Sequence, residues 1–296
     1  MRKPVFRGAA TALVTPFTPT GEVNYEKLSE LLEFQISQGI DGVVILGTTG
    51  ESPTVPTDEH IEVVAKAVEY VRGRVPVIAG AGSNSTAEAI DQTKRCTDVG
   101  ADAILSVTPY YNKTTQTGLV AHFKAISAVT ELPIIMYNVP SRTGLNIAPE
   151  TAAELSKVEN IVGIKECNIE QVGMTKHLAE PDFQFYTGED AQIIPMLAWD
   201  GHGVISVMSN VIPRDVHDMC VAWFGGDFIG ARWRSMKTQA LIKALFIEVS
   251  PIPVKEALNI LGWEVGNPRL PLVPPSAATK ALLEKVLSEY GVQPKA

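Results

Sequence analysis

The sequence predicts a (β/α)8 TIM barrel followed by a small all-helical C-terminal extension. Two observations carry that prediction. Eight short apolar runs rich in Val and Ile recur at 12–14, 42–46, 75–79, 103–107, 133–137, 161–165, 183–186 and 204–207, and near-continuous apolar runs are what parallel strands covered by helices require. Each run passes through polar or glycine-rich residues into a stretch of helical periodicity. Eight such units exceed what a doubly wound sheet needs and match a closed barrel. No Gly-x-Gly-x-x-Gly follows the first run, which weakens a dinucleotide-binding sheet.

The helices have their own start and stop signals. Asn24 precedes Leu28, Leu31 and Leu32 at helical spacing. Thr57 stands as an N-cap before the acidic first-turn residues Asp58 and Glu59, with Ile61, Val64, Ala65 and Val68 as the expected buried stripe. Ser85 or Thr86, with Glu88 close behind, opens a third helix, and Gly39, Gly73 and Gly100 fall where helices should end. Beyond the eighth run, 214–224, 230–249, 254–261 and 276–290 read as helical, punctuated by prolines. The expected division is a barrel over residues 1–224 and a helical domain over 225–296, in one compact unit without a flexible linker.

Composition narrows the function. The 296 residues are 45% hydrophobic and 20% charged, ordinary globular proportions that exclude wholesale disorder. With 33 acidic residues against 25 basic, and no basic run longer than Arg2-Lys3, no stripe could neutralise a nucleic-acid backbone. The longest uncharged stretch, 8–21, is broken by Thr, Pro and Gly and is too short for a membrane span. Pro4 and Arg7 interrupt any signal-peptide core. Cys96, Cys167 and Cys220 form no CxxC pair, which points to a reducing compartment. The five histidines show no metal-ligand spacing. The expected location is cytoplasmic.

In such a barrel, reactive side chains project from the C-terminal strand ends. The alternation within 161–166 puts Ile161, Gly163 and Lys165 on one face, so that Lys165 points into the barrel mouth and Gly163 leaves room for a small ligand. A lysine there suits a Schiff-base nucleophile, which needs its amine neutral and hence a pKa lowered by desolvation from about 10.4 to about 7–8. The alternative is a structural ion pair, for which Glu51 is the candidate. Tyr137 ends the fifth run, either as a proton shuttle beside that lysine or as an aromatic core residue.

Three loops complete the set. Gly47-Thr48-Thr49-Gly50-Glu51-Ser52 can form a backbone nest for a carboxylate. Arg142, in the loop after Tyr137, offers a bidentate grip on a carboxylate or a surface charge. Tyr110-Tyr111 form a site wall or a subunit contact. The loops after the last two strands read Gly188-Glu189-Asp190 and Ser206-Val207-Met208-Ser209-Asn210, and two acids there disfavour a phosphorylated ligand. A small carboxylic acid is the expected substrate class.

The segments GTTGES (47–52), TPYYN (108–112), YNVPSRTG (137–144), GIKE (163–166) and GHGVISV (201–207) together closely resemble the dihydrodipicolinate synthase family of pyruvate-dependent class I aldolases, which is related to N-acetylneuraminate lyase. The motifs keep the family's order over nearly the whole chain. The resemblance implies that Lys165 forms a Schiff base and then an enamine with pyruvate, which adds to L-aspartate 4-semialdehyde to give 4-hydroxy-tetrahydrodipicolinate, in lysine and diaminopimelate biosynthesis. It implies a proton relay of Tyr137, Thr48 and Tyr111, the last reaching in from a neighbouring subunit of a homotetramer, and no metal or organic cofactor. Thr49, Ile205 and Gly188 then belong to substrate binding and Arg142 to the semialdehyde carboxylate. Ser52, His60, Asn84, Glu88 and Tyr110 resemble an inter-subunit site at which L-lysine inhibits. Pro53 and Thr57 depart from that site's pattern in some inhibited members. The remaining readings are another pyruvate-dependent aldolase of the sugar-acid or N-acetylneuraminate lyase type, and a non-catalytic keto-acid or lysine sensor.

Overall fold

In the computed structural model, which describes residues 2–295, the apolar runs form eight parallel strands. They are β1 (Gly8–Ala12), β2 (Gly42–Ile45), β3 (Val77–Gly80), β4 (Ala103–Val107), β5 (Ile134–Asn138), β6 (Ile161–Glu166), β7 (Gln184–Thr187) and β8 (Gly203–Ser206). Each pairs with the next, and β1 pairs with β8, closing the barrel. Alternation sorts the side chains. Val44, Ile78, Leu105, Ile135 and Ile205 pack inside the barrel, whereas Val43, Val77, Ile104, Met136 and Val204 pack outward against the helices. Phe6 stacks on Tyr186 at 4.3 Å and fills the interior beneath the mouth.

Four sequence expectations are corrected here. The first strand is Gly8–Ala12 rather than 12–14, because Gly8 to Thr11 pair with Gly203 to Ser206. Ala9, Ala10 and Ala12 are poor strand formers whose tertiary burial overrides their propensity. The N-cap of helix Thr57–Val71 is Pro56, and Thr57 is already inside the helix. Its deepest residues are His60, Ile61, Val63, Val64, Ala67 and Val71, while Ala65 and Val68 are only partly buried. Of the two caps expected for the third helix, Ser85 is the one used, accepting from the Glu88 amide.

The fourth correction concerns β6. Its register against β5 slips between Ile134 and Ile135, which pair with Ile161 and Gly163 respectively. The extra residue, Val162, therefore packs inside the barrel and Ile161 packs outside. Alternation resumes after this bulge, so Ile164 still faces the helices and Lys165 still faces the mouth. Gly163 does not leave room for a ligand: a Cβ there would stand 2.6 Å from the Gln184 carbonyl oxygen. Glycine is needed because two backbones approach closely.

The C-terminal helices Phe228–Leu245, Ile252–Ile260 and Ala277–Tyr290 share the barrel's outer core, where Leu241, Leu245, Val254, Leu258 and Leu283 join the cluster containing Leu13 and Phe17. Among the described residues, no helix is long and apolar enough to cross a membrane.

The two kinds of support differ in size. Ile78→Ala, at a fully buried interior position, should lower stability by about 2–5 kcal/mol. Asn24→Ala, which removes the acceptor for the Lys27 amide, should cost about 1 kcal/mol. Urea midpoints read both, and equal shifts would contradict this ordering.

Candidate active site

Three strand ends and one turn build the site. Tyr137 near the end of β5 lies opposite Lys165 on β6, and Lys165 lies opposite Tyr186 on β7. This register sets the Lys165 Nζ 4.1 Å from the centre of the Tyr137 ring. Both side chains are buried, each 6% exposed. Among the described residues, Lys165 has no hydrogen-bond partner and no carboxylate within ion-pair distance. The carboxylate proposed for it is taken: Glu51 pairs with Lys255 at 2.8 Å. The structural ion pair between Lys165 and Glu51 is thereby excluded.

Electrostatics favour a neutral amine. Burial pulls the Lys165 pKa down from the ordinary lysine value, outweighing the opposing fields of Cys167, Glu189 and Asp190. Burial likewise raises the Tyr137 phenol, partly offset by the Thr48 side chain. Two acids beside the site are engaged elsewhere. Glu166, pushed up to about 7 by burial, accepts from Asn138, Gln171 and the Asn168 amide. Asp190, raised by burial to about 6, accepts from the Met208 and Val207 amides.

The turn after β2 is entered at Leu46 (φ 53°) and left at Glu51 (φ 60°), both left-handed although neither is glycine. Such residues cost about 1–3 kcal/mol each and cluster at ligand-binding turns. Within the turn, the amides of Gly50 and Ser52 bond to Gly47 and that of Glu51 to Thr48. Among the described residues, the Thr48 and Thr49 amides have no partner in the turn, as an anion nest requires.

A cavity of about 230 Å³ opens over this arrangement, walled by residues that include Thr48, Ser52, Leu105, Tyr110, Tyr137 and Arg142. Arg142 is exposed and donates to the Ser250 carbonyl at 3.2 Å. Lys165, Thr49, Ile205 and Gly188 lie outside that wall. Ile205 packs within the barrel, and Gly188 lies against Lys165 and Cys167. Burial pushes the Cys167 thiol up to about 12. Tyr111 lies outside that wall as well: it is 91% exposed, with φ 68°.

Of the residues matched to a lysine site, Ser52 and Tyr110 share the cavity wall. Glu88 is exposed, its carboxylate accepting from Ser83 at 2.8 Å, and the Asn84 carbonyl accepts from Asn112. His60 is fully buried, its Nε2 2.7 Å from the Gly80 carbonyl oxygen. Sequence reasoning missed Lys255 and the apolar wall of Leu105, Val107 and Val139. The wall could have been read from its place at strand ends. Lys255 showed only as a charge beside Glu256 at the end of the apolar run Ile252-Pro253-Val254.

The profile of the dihydrodipicolinate synthetase family matches residues 5–290. The 4-hydroxy-tetrahydrodipicolinate synthase of Acetivibrio thermocellus is 53% identical over 292 residues, covering 99% of this chain and 100% of that protein. The crystal structure of dihydrodipicolinate synthase from Thermotoga maritima superposes with a TM-score of 0.95 at 46% identity, covering 98% of this chain and 100% of that one. The lysine-bound enzyme of Cyanidioschyzon merolae does so with a TM-score of 0.95 at 40% identity, covering 98% and 100%.

Two predictions follow from the geometry of Lys165. Its pKa is lower in the folded chain than in the unfolded one, so between those two values only the unfolded chain holds the proton, and stability rises with pH. Below that window the folded protein bears the full desolvation cost. Lys165→Met should therefore melt higher than the parent near neutral pH, with the gap closing as pH approaches about 10. A variant that melts lower near neutrality contradicts this. At Gly188, a Cβ would stand 2.7 Å from Lys165 Cε and press on the Cys167 sulfur. Gly188→Ala should keep the fold by circular dichroism yet slow modification of Lys165 by an amine-reactive aldehyde by about tenfold. Unchanged reactivity would leave Gly188 without this role.

Proposed function

The chain belongs to the dihydrodipicolinate synthetase family, and on that premise we propose that it condenses pyruvate with L-aspartate 4-semialdehyde through a Schiff base on Lys165. The product is 4-hydroxy-tetrahydrodipicolinate, for lysine and diaminopimelate biosynthesis. One observation carries the reading: a buried lysine at a strand end, free of any counter-ion, stacked over a tyrosine that shares a cavity wall with Thr48.

The neutral Lys165 amine attacks the pyruvate keto carbon while the Thr48 and Thr49 amides hold the carboxylate. Tyr137 and Thr48 pass the proton that turns the carbinolamine oxygen into departing water. The imine loses a methyl proton to give the enamine, whose carbon bonds to the semialdehyde aldehyde. The semialdehyde's own amine then displaces Lys165 and closes the ring. Arg142, at the rim of the cavity, holds the second substrate's carboxylate, and its present partner is only a backbone carbonyl. Ile205 and Gly188 shape the pyruvate end. Residues 1–224 carry this chemistry and 225–296 brace it.

Tyr111 completes the relay of a neighbouring subunit in a homotetramer; its near-full exposure and left-handed backbone suit a side chain held out for a partner. L-Lysine inhibits at the same junction, with Glu88 holding an ammonium group beside Asn84, Ser52, Tyr110 and His60. The three free cysteines accord with a cytoplasmic enzyme.

Borohydride with pyruvate should add covalent mass to the wild type and none to Lys165→Ala, and the coupled assay with both substrates should fall about a thousandfold or more in that variant. Arg142→Ala should raise the KM for the semialdehyde about 10–100-fold and leave pyruvate trapping unchanged. Release of pyruvate from sialic acid without condensation activity would instead make the chain a sugar-acid aldolase. A velocity unaffected by millimolar L-lysine would remove the inhibitory site.

A further inference from the structure

We propose that Glu51 and Lys255 are a positioning pair: a buried ion pair through which the C-terminal helices hold the Thr48–Thr49 turn in its carboxylate-binding shape. The inference rests on reading that turn as the pyruvate carboxylate site. Neither side chain touches the substrate.

The pair lies at the junction of barrel and extension, with both side chains 1% exposed. Lys255 comes from helix Ile252–Ile260, and each of its three donors is used. They reach Glu51 Oε1 at 2.8 Å, the Thr15 carbonyl at 3.1 Å and the Asn267 carbonyl at 3.2 Å. The other Glu51 oxygen accepts from the Arg269 amide at 2.8 Å. Arg269 is itself anchored by Glu59 and the Gly21 carbonyl. The Phe17 ring lies under both cations, 4.2 Å from Lys255 Nζ and 4.3 Å from the Arg269 guanidinium carbon.

The cluster grips the turn at two consecutive residues. Glu51 is held by its side chain. Gly50 is held by its carbonyl, which accepts from the Thr15 hydroxyl at 2.7 Å, and Thr15 also receives Lys255. Glu51 adopts a left-handed conformation that a non-glycine residue keeps only under external constraint. Stability alone is a weak reason for this arrangement, since apolar pairs of similar volume often serve a core as well as or better than a buried ion pair. What directed hydrogen bonds supply instead is position, and an error of about 1 Å in ligand-orienting groups can cost up to about a hundredfold.

The test compares Glu51→Gln, Lys255→Met and the double variant Glu51→Leu/Lys255→Met. Each is read by the pyruvate concentration that half-saturates borohydride trapping, by the KM for each substrate and by melting temperature. The single variants should raise the pyruvate half-saturation and its KM about tenfold or more, while kcat at saturating pyruvate changes by about threefold or less. The KM for the semialdehyde should not move. The double variant, which removes both buried charges, should recover melting temperature but not pyruvate affinity. Unchanged pyruvate half-saturation in the folded single variants overturns the proposal, as does a double variant that recovers affinity together with stability. A wild type that forms no adduct at all would overturn the underlying reaction instead.

Discussion

The structure turns on keeping one amine in a dry barrel mouth without a counter-ion. A lysine so placed pays for its desolvation in stability, and the surrounding fold is arranged so that nothing relieves that cost cheaply. Three carboxylates close to the mouth are engaged elsewhere. Glu51 faces Lys255, Glu166 is saturated by amide donors, and Asp190 is turned onto the amides that follow β8. The Lys165 amine lies over the Tyr137 ring, an attraction smaller than that of a paired carboxylate.

The same commitments make the site a joint product of barrel and extension. The turn after β2 carries left-handed backbone at both ends, and the residues that restrain it come from β1's following segment, from helix Ile252–Ile260 and from the segment after that helix. The extension does not sit beside the barrel as a separate body, because its leucines share one apolar cluster with Leu13 and Phe17. Changes far from the mouth can therefore reach it through backbone position.

Much of this was legible because strand periodicity is strict. The eight runs fell within a few residues of the strands, and Lys165, Tyr137, Thr48 and Arg142 were singled out from their places at strand ends. The reading of β6 reached the right face for Lys165 by a wrong route. It assumed unbroken alternation from Ile161, whereas a bulge at Val162 shifts the phase. The first strand was misplaced for the opposite reason: its alanines carry little apolar signal, and their burial is decided by neighbours distant in sequence.

By itself the sequence determined the barrel, the strand ends and the residue types there, since these follow from local periodicity and side-chain chemistry. Only the folded chain decided which charges meet. Glu51 and Lys255 are 204 positions apart, and no spacing rule connects them. That pairing settled which of two lysines takes the carboxylate, and so which amine stays free. Contacts of that kind depend on closure of the barrel and docking of the last helices, a three-dimensional outcome that no linear pattern encodes.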